Sequence, residues 1–141
     1  MQHMIAYAMR FVGTPYRWAG SNPISGLDCS GFVQVLLKSA GIDPQGDQSA
    51  QALYNHFEHN GSYGVRLPGS LAFFGKSARE ITHVGFCVDM FRMIHACGGD
   101  HLTLTEADAA AKDAWVKMTL ITYRPDLVAC IKPYYTKIGL Q

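Results

Sequence analysis

The spacing of hydrophobic positions changes about half-way along the chain. Early on they recur at intervals of three and four. Ile5, Ala8, Met9 and Val12 fall at i, i+3, i+4 and i+7, which predicts one apolar stripe of a short helix. Gly13 and the Thr14-Pro15 pair stop it. Cys29, Phe32, Val33, Leu36, Leu37 and Ala40 form a longer stripe, with Asp28 as N-cap and Gly41 as C-terminal stop. A third helix is predicted over 48–59, capped by Asp47 or Ser49 and stopped at Asn60-Gly61. Its buried stripe is Ala50, Leu53, Tyr54 and Phe57. Between the first two helices, YRWAGSNPISGLD reads as a loop whose aromatics pack on something.

After Leu67-Pro68-Gly69 the period shortens. Residues 71–74 read as a short buried strand, and 83–88 with 93–97 as a hairpin turning near 89–92. Residues 105–114 have helical composition with a weak stripe. In 116–123, Val116, Met118 and Leu120 alternate with Lys117, Thr119 and Ile121, a strand; 128–132 reads as one more. Helices first and a meander of strands afterwards predict an α+β fold with an antiparallel sheet. No repeat, linker or low-complexity segment interrupts the 141 residues, so one domain over 1–141 is expected.

Composition narrows the function. With 48% hydrophobic and 16% charged residues the chain is not of the disordered class. A net charge of +1 offers no electrostatic basis for a nucleic-acid or anionic-membrane partner. No stretch reaches the ~18 apolar residues of a membrane span. The first residues lack the unbroken apolar segment of a secretory signal, so the protein is expected to be made in the cytoplasm. Cysteines 29, 87, 97 and 130 form no CxxC pair and no zinc-finger spacing, which predicts free thiols.

One thiol stands apart. Cys29 opens an amphipathic helix, where unpaired N–H groups and the helix dipole favour a thiolate. Gly31 gives up helix propensity in the first turn, as a close backbone approach would require. A nucleophilic thiol needs a base, and the base an orienting group. His56 and His59 do not form the HExxH zinc pattern and read as a polar helix face, while His3 and His101 have no chemical context. His83 and His95 lie on the two strands of one predicted hairpin. With the turn near residue 90, Gly85 falls opposite His95, and His83 lies diagonal to it on the same face. The two readings are a pair of independent core histidines or a pair that works with Cys29; their shared face favours the second. A metal site built from Cys29, His83, His95 and Cys97 is the minor alternative, and neither metal nor cofactor is expected.

The blocks PYRWAG, GLDCSGFVQ, LPGSLAFF and HVGFCVDMFRMIHA, in this order over residues 4–97, resemble the NlpC-type cell-wall cysteine peptidases. The resemblance implies a papain-like fold, N-terminal helices packed on a central antiparallel sheet. It implies hydrolysis of an amide in peptidoglycan stem peptides, at the D-γ-glutamyl–diamino acid link. By the same resemblance Cys29 is the nucleophile, His83 the general base and His95 the residue that orients it. Tyr16 brings a hydroxyl to the site, and Asp28 and Ser30 flank the thiol where the substrate's free amine is held. Two positions depart from the family pattern: Ser70 stands for the Asp of LPGDL, and Ala19 for the first Gly of WGG. A CHAP-type amidase or endopeptidase shares the Cys-then-His order and is the nearest rival; a non-catalytic binding module is the rival of another class. Without a visible signal or wall-binding repeat, the domain suits a wall hydrolase delivered by a phage particle or a secretion system.

Overall fold

The computed structural model describes residues 1–22 and 26–135. In chain order the elements are α1 (Gln2–Met9), β1 (Ser21–Asn22), β2 (Gly26–Leu27), α2 (Cys29–Ser39) and α3 (Ala50–Phe57). There follow β3 (Gly61–Tyr63), β4 (Leu71–Gly75), β5 (Ile81–Cys87), β6 (Arg92–Cys97), α4 (Glu106–Lys112), β7 (Trp115–Leu120), a 3-10 turn over Ile121–Tyr123 and β8 (Leu127–Pro133). Strands β3 to β8 form one antiparallel sheet in the order β3-β8-β4-β5-β6-β7. The expected α+β class is met.

α2 forms as its stripe predicts. The Asp28 carboxylate accepts the Gly31 N–H at 2.7 Å, which satisfies one of the unpaired donors of the first turn. Phe32, Val33, Leu36 and Leu37 are fully buried. They meet Leu71, Phe73, Val84, Phe86, Ile94 and Ile131 from one face of the sheet in the main core. Each such side chain contributes roughly 1.5–3 kcal/mol of burial. α3 is capped by Ser49 and buries the four predicted positions. On the opposite face Ala72, Phe74, Cys87, Met93, Ile121 and Cys130 make a second, smaller cluster. In it Cys87 and Cys130 come near each other from the two strands that flank β4. All four cysteines are free.

Four expectations are corrected. α1 ends at Met9 and buries Met4 and Ala8, with Phe11 in the following turn, while Met9 and Val12 are about half exposed, 49% and 46%. Two stripes with the same spacing were available, and packing against α2 selected the one carrying the aromatic ring, which meets Phe32 edge-on. The 116–123 strand stops at Leu120: the 3-10 turn rotates Ile121 into the second cluster and leaves Leu120 exposed. Gly61–Tyr63, expected only as a helix stop, pairs with β8. The loop between α1 and α2 carries the small antiparallel pair β1–β2, and its residues 23–25 lie outside the described residues.

Candidate active site

The β5–β6 ladder pairs Phe86 with Ile94 and Cys87 with Met93. Towards residues 81–85 no further pairing joins the two strands. His83 and His95 sit on this parted stretch, and their rings close it: His83 Nε2 and His95 Nδ1 are 2.7 Å apart. Gly85 makes room for this. A Cβ there would meet Met93 Sδ at 2.7 Å and the His95 Cβ at 3.3 Å. The far nitrogen of His95, Nε2, lies 2.9 Å from Thr119 Oγ1 on β7. Phe74, the cross-strand partner of His83, packs on its ring, and Tyr123 packs on the ring of His95. The expected diagonal pairing of the two histidines is therefore present as a direct hydrogen bond.

Cys29 starts α2 beside the same strand. The backbone N–H groups of Val84 and Ser30 act on its sulfur and favour the ionised form, as does the charge of Arg124. Burial and the neighbouring Asp28 carboxylate outweigh them, and the thiol is pushed up to about 11. The helix start alone predicted a lowered value; desolvation reverses it. The histidines shift the other way. Burial, then the charges of Arg124 and Lys117, lower His95 to about 4, and burial, His95 and Arg124 lower His83 well below its ordinary value. Burial thus favours the uncharged form of the thiol and of both imidazoles.

A close backbone contact ties the neighbouring loop to this helix. A Cβ on Gly31 would run into the Gly20 carbonyl, and the same carbonyl accepts the Asp28 N–H at 3.0 Å. This holds segment 15–20 against the start of α2. Tyr16 is thereby buried, and burial together with the nearby Cys29, Asp28 and Asp100 raises its hydroxyl pKa.

The NlpC/P60 family model matches residues 13–124. The chain belongs to the NlpC/P60 family. Its fold is the papain-like α+β fold that the four sequence blocks imply. Similar proteins include the Bacillus subtilis bifunctional muramidase/DL-endopeptidase CwlT, 37% identical over 92 residues that cover 63% of this chain and 27% of that protein. Protein P54 of Enterococcus faecium is 37% identical over 100 residues, 66% of this chain and 17% of that protein. The chain thus spans less than three tenths of the length of these curated relatives. Among solved structures, the NlpC/p60 domain of the peptidoglycan hydrolase SagA has a TM-score of 0.66 at 24% identity, covering 92% of this chain and 95% of that one. The P60 domain of the Mycobacterium avium subspecies paratuberculosis antigen MAP1204 gives 0.66 at 19% identity, with 94% and 92% covered. These two likenesses concern the fold.

Within this NlpC/P60 domain, Asp28 and Ser30 are engaged with each other. Ser30 Oγ donates to Asp28 Oδ1 at 3.3 Å, on the oxygen that also caps the helix. Among the described residues, no group of three or more His, Cys, Asp and Glu is arranged to hold a metal, and no helix is long and apolar enough to cross a membrane. Thr119 and Arg124 escaped the sequence reading. Arg124 is held by Asp126 through two bonds, Nε–Oδ1 at 2.9 Å and Nη2–Oδ2 at 2.7 Å, and lies over the Phe74 ring. Thr119 reaches the site through β6–β7 pairing and Arg124 through the turn that leads from β7 into β8, and neither leaves a local signal.

Proposed function

We propose that this domain is a cysteine peptidase that cleaves an amide of peptidoglycan stem peptides, at the D-γ-glutamyl–diamino acid bond, through Cys29, His83 and His95. The observation that carries the reading is the 2.7 Å His83–His95 bond on the strand whose Val84 N–H acts on Cys29. His83 takes the thiol proton on Nδ1, the nitrogen not bonded to His95, as sulfur attacks the carbonyl carbon. The same proton then goes to the leaving amine as the C–N bond breaks, and water releases the acyl group from sulfur by the reverse proton path. The backbone N–H at Cys29 is the oxyanion donor. Because burial disfavours the thiolate at rest, ionisation is coupled to attack rather than complete beforehand. Tyr16, Asp28 and Ser30 line the substrate side, the last two towards a free amine. The relative from Bacillus cereus named gamma-D-glutamyl-L-lysine dipeptidyl-peptidase, 34% identical over 91 residues, supports this bond over the CHAP-type amidase alternative. The domain acts on wall material outside the cytoplasm.

Digestion of purified peptidoglycan with mass spectrometry of the fragments tests the bond. Fragments cut between D-glutamate and the diamino acid are expected, and none with Cys29→Ala or His83→Gln. His95→Asn is expected to keep measurable activity, because an amide also satisfies the His83 ring, whereas His95→Ala loses more. Cleavage by Cys29→Ala, or fragments cut at the muramoyl–alanine amide, would contradict the reading.

A further inference from the structure

We propose that Thr119 is a positioning residue that fixes the tautomer of both histidines, so that His83 presents an unprotonated Nδ1. The order of protons follows from one end of a hydrogen-bonded row. Thr119 Oγ1 lies 3.1 Å from the Leu120 carbonyl oxygen, which has no proton to give. The hydroxyl therefore donates there, and its oxygen accepts from His95 Nε2–H at 2.9 Å. His95 Nδ1 is then bare and accepts from His83 Nε2–H at 2.7 Å. The remaining His83 nitrogen, Nδ1, carries a lone pair.

The opposite row is internally consistent too, and it disables the base. If His95 carried its proton on Nδ1, His83 Nε2 would accept, and the His83 proton would sit on Nδ1. The hydroxyl of Thr119 has one proton, and spending it on Leu120 selects the first row. His95 has no exposed surface, so water cannot satisfy its nitrogens in place of Thr119. The register supports the contact: β6 pairs His95 with Lys117 and Met93 with Thr119, which puts Thr119 on the same sheet face as His95 and diagonal to it.

The catalytic meaning of this lock rests on the proposed role of His83, but the proton order does not. Ring-nitrogen NMR of the whole chain reads the tautomers directly, in wild type, Thr119→Val and Thr119→Ser, beside steady-state rates on a γ-D-glutamyl-diamino acid peptide. Wild type is expected to carry Nε2–H on both rings. Thr119→Val removes the hydroxyl at constant shape; His95 is expected to move its proton to Nδ1, with kcat falling about 10- to 100-fold, the worth of one buried hydrogen-bond partner. KM is expected to stay, and Thr119→Ser to restore both the tautomers and the rate. Nδ1–H on His95 in wild type would overturn the lock, as would unchanged tautomers in Thr119→Val whatever its rate. If Thr119→Val does not fold, the wild-type spectrum alone decides. Nε2–H on both rings in a wild type that cleaves no stem peptide would uphold the lock and refute the peptidase reading instead.

Discussion

His95 is a fully buried imidazole held neutral, and this has a price in acid. In the unfolded chain an imidazole takes a proton near pH ~6.5. In the folded protein His95 waits until about 4. Below pH ~6.5 the unfolded state therefore binds more protons, and stability falls as pH falls, levelling off once the folded value is passed. At pH 5 His95 alone costs about 2 kcal/mol, and His83 acts in the same direction. Melts between pH 7.5 and 5 are expected to show a falling Tm, with a shallower slope in His95→Asn, which has no proton to take up. An identical slope in that variant would rule out His95 as the source. The three candidate catalytic residues were legible from helix position, strand phase and motif order. Their charge states were not, because burial is a property of the packed molecule. Cys29 shows it: the helix start favours the thiolate, and desolvation overrules it.

Elements whose signals are local were read well, and those decided by a partner were not. α2 and α3 announce themselves by cap, stripe and stop within a dozen residues. β3 has a glycine, a serine and a tyrosine, and becomes a strand only because β8 lies beside it. Gly31 was legible as an anomaly, and its cause is the Gly20 carbonyl. It also permits a test of sign. In an isolated helix Gly→Ala stabilises by roughly 1 kcal/mol. Here the new Cβ meets backbone, which cannot rotate away, so Gly31→Ala is expected to destabilise by about 1–3 kcal/mol, as overpacking does. Activity should fall with it, because segment 15–20 carries Tyr16. A raised Tm in Gly31→Ala would show that the loop does not press on the helix start.

At the scale of the whole molecule, the proposed catalytic groups come from both sides of the sheet: Cys29 from the helix-covered side, the two histidines from the strands. Helices cover one face, and the second cluster with the histidine row occupies the other. That second face also holds Cys87 and Cys130, neighbours across β4. Two strand spacings separate their backbones by roughly 9–10 Å, whereas a disulfide spans at most about 7 Å between Cα atoms. The intervening chain, which sets Ala72 beside Cys130 and Ser70 beside Cys87, is a spacer that keeps the two sulfurs from being joined while the sheet is intact. Melting temperatures with and without a reductant are expected to coincide for freshly prepared protein, and mass spectrometry after mild oxidation to show no 2 Da loss from an internal bridge. A bridged Cys87–Cys130 species would mean that β4 leaves the sheet in the native state. In an oxidising environment the intact sheet would therefore form no Cys87–Cys130 staple, and this half of the fold would hold its shape by packing.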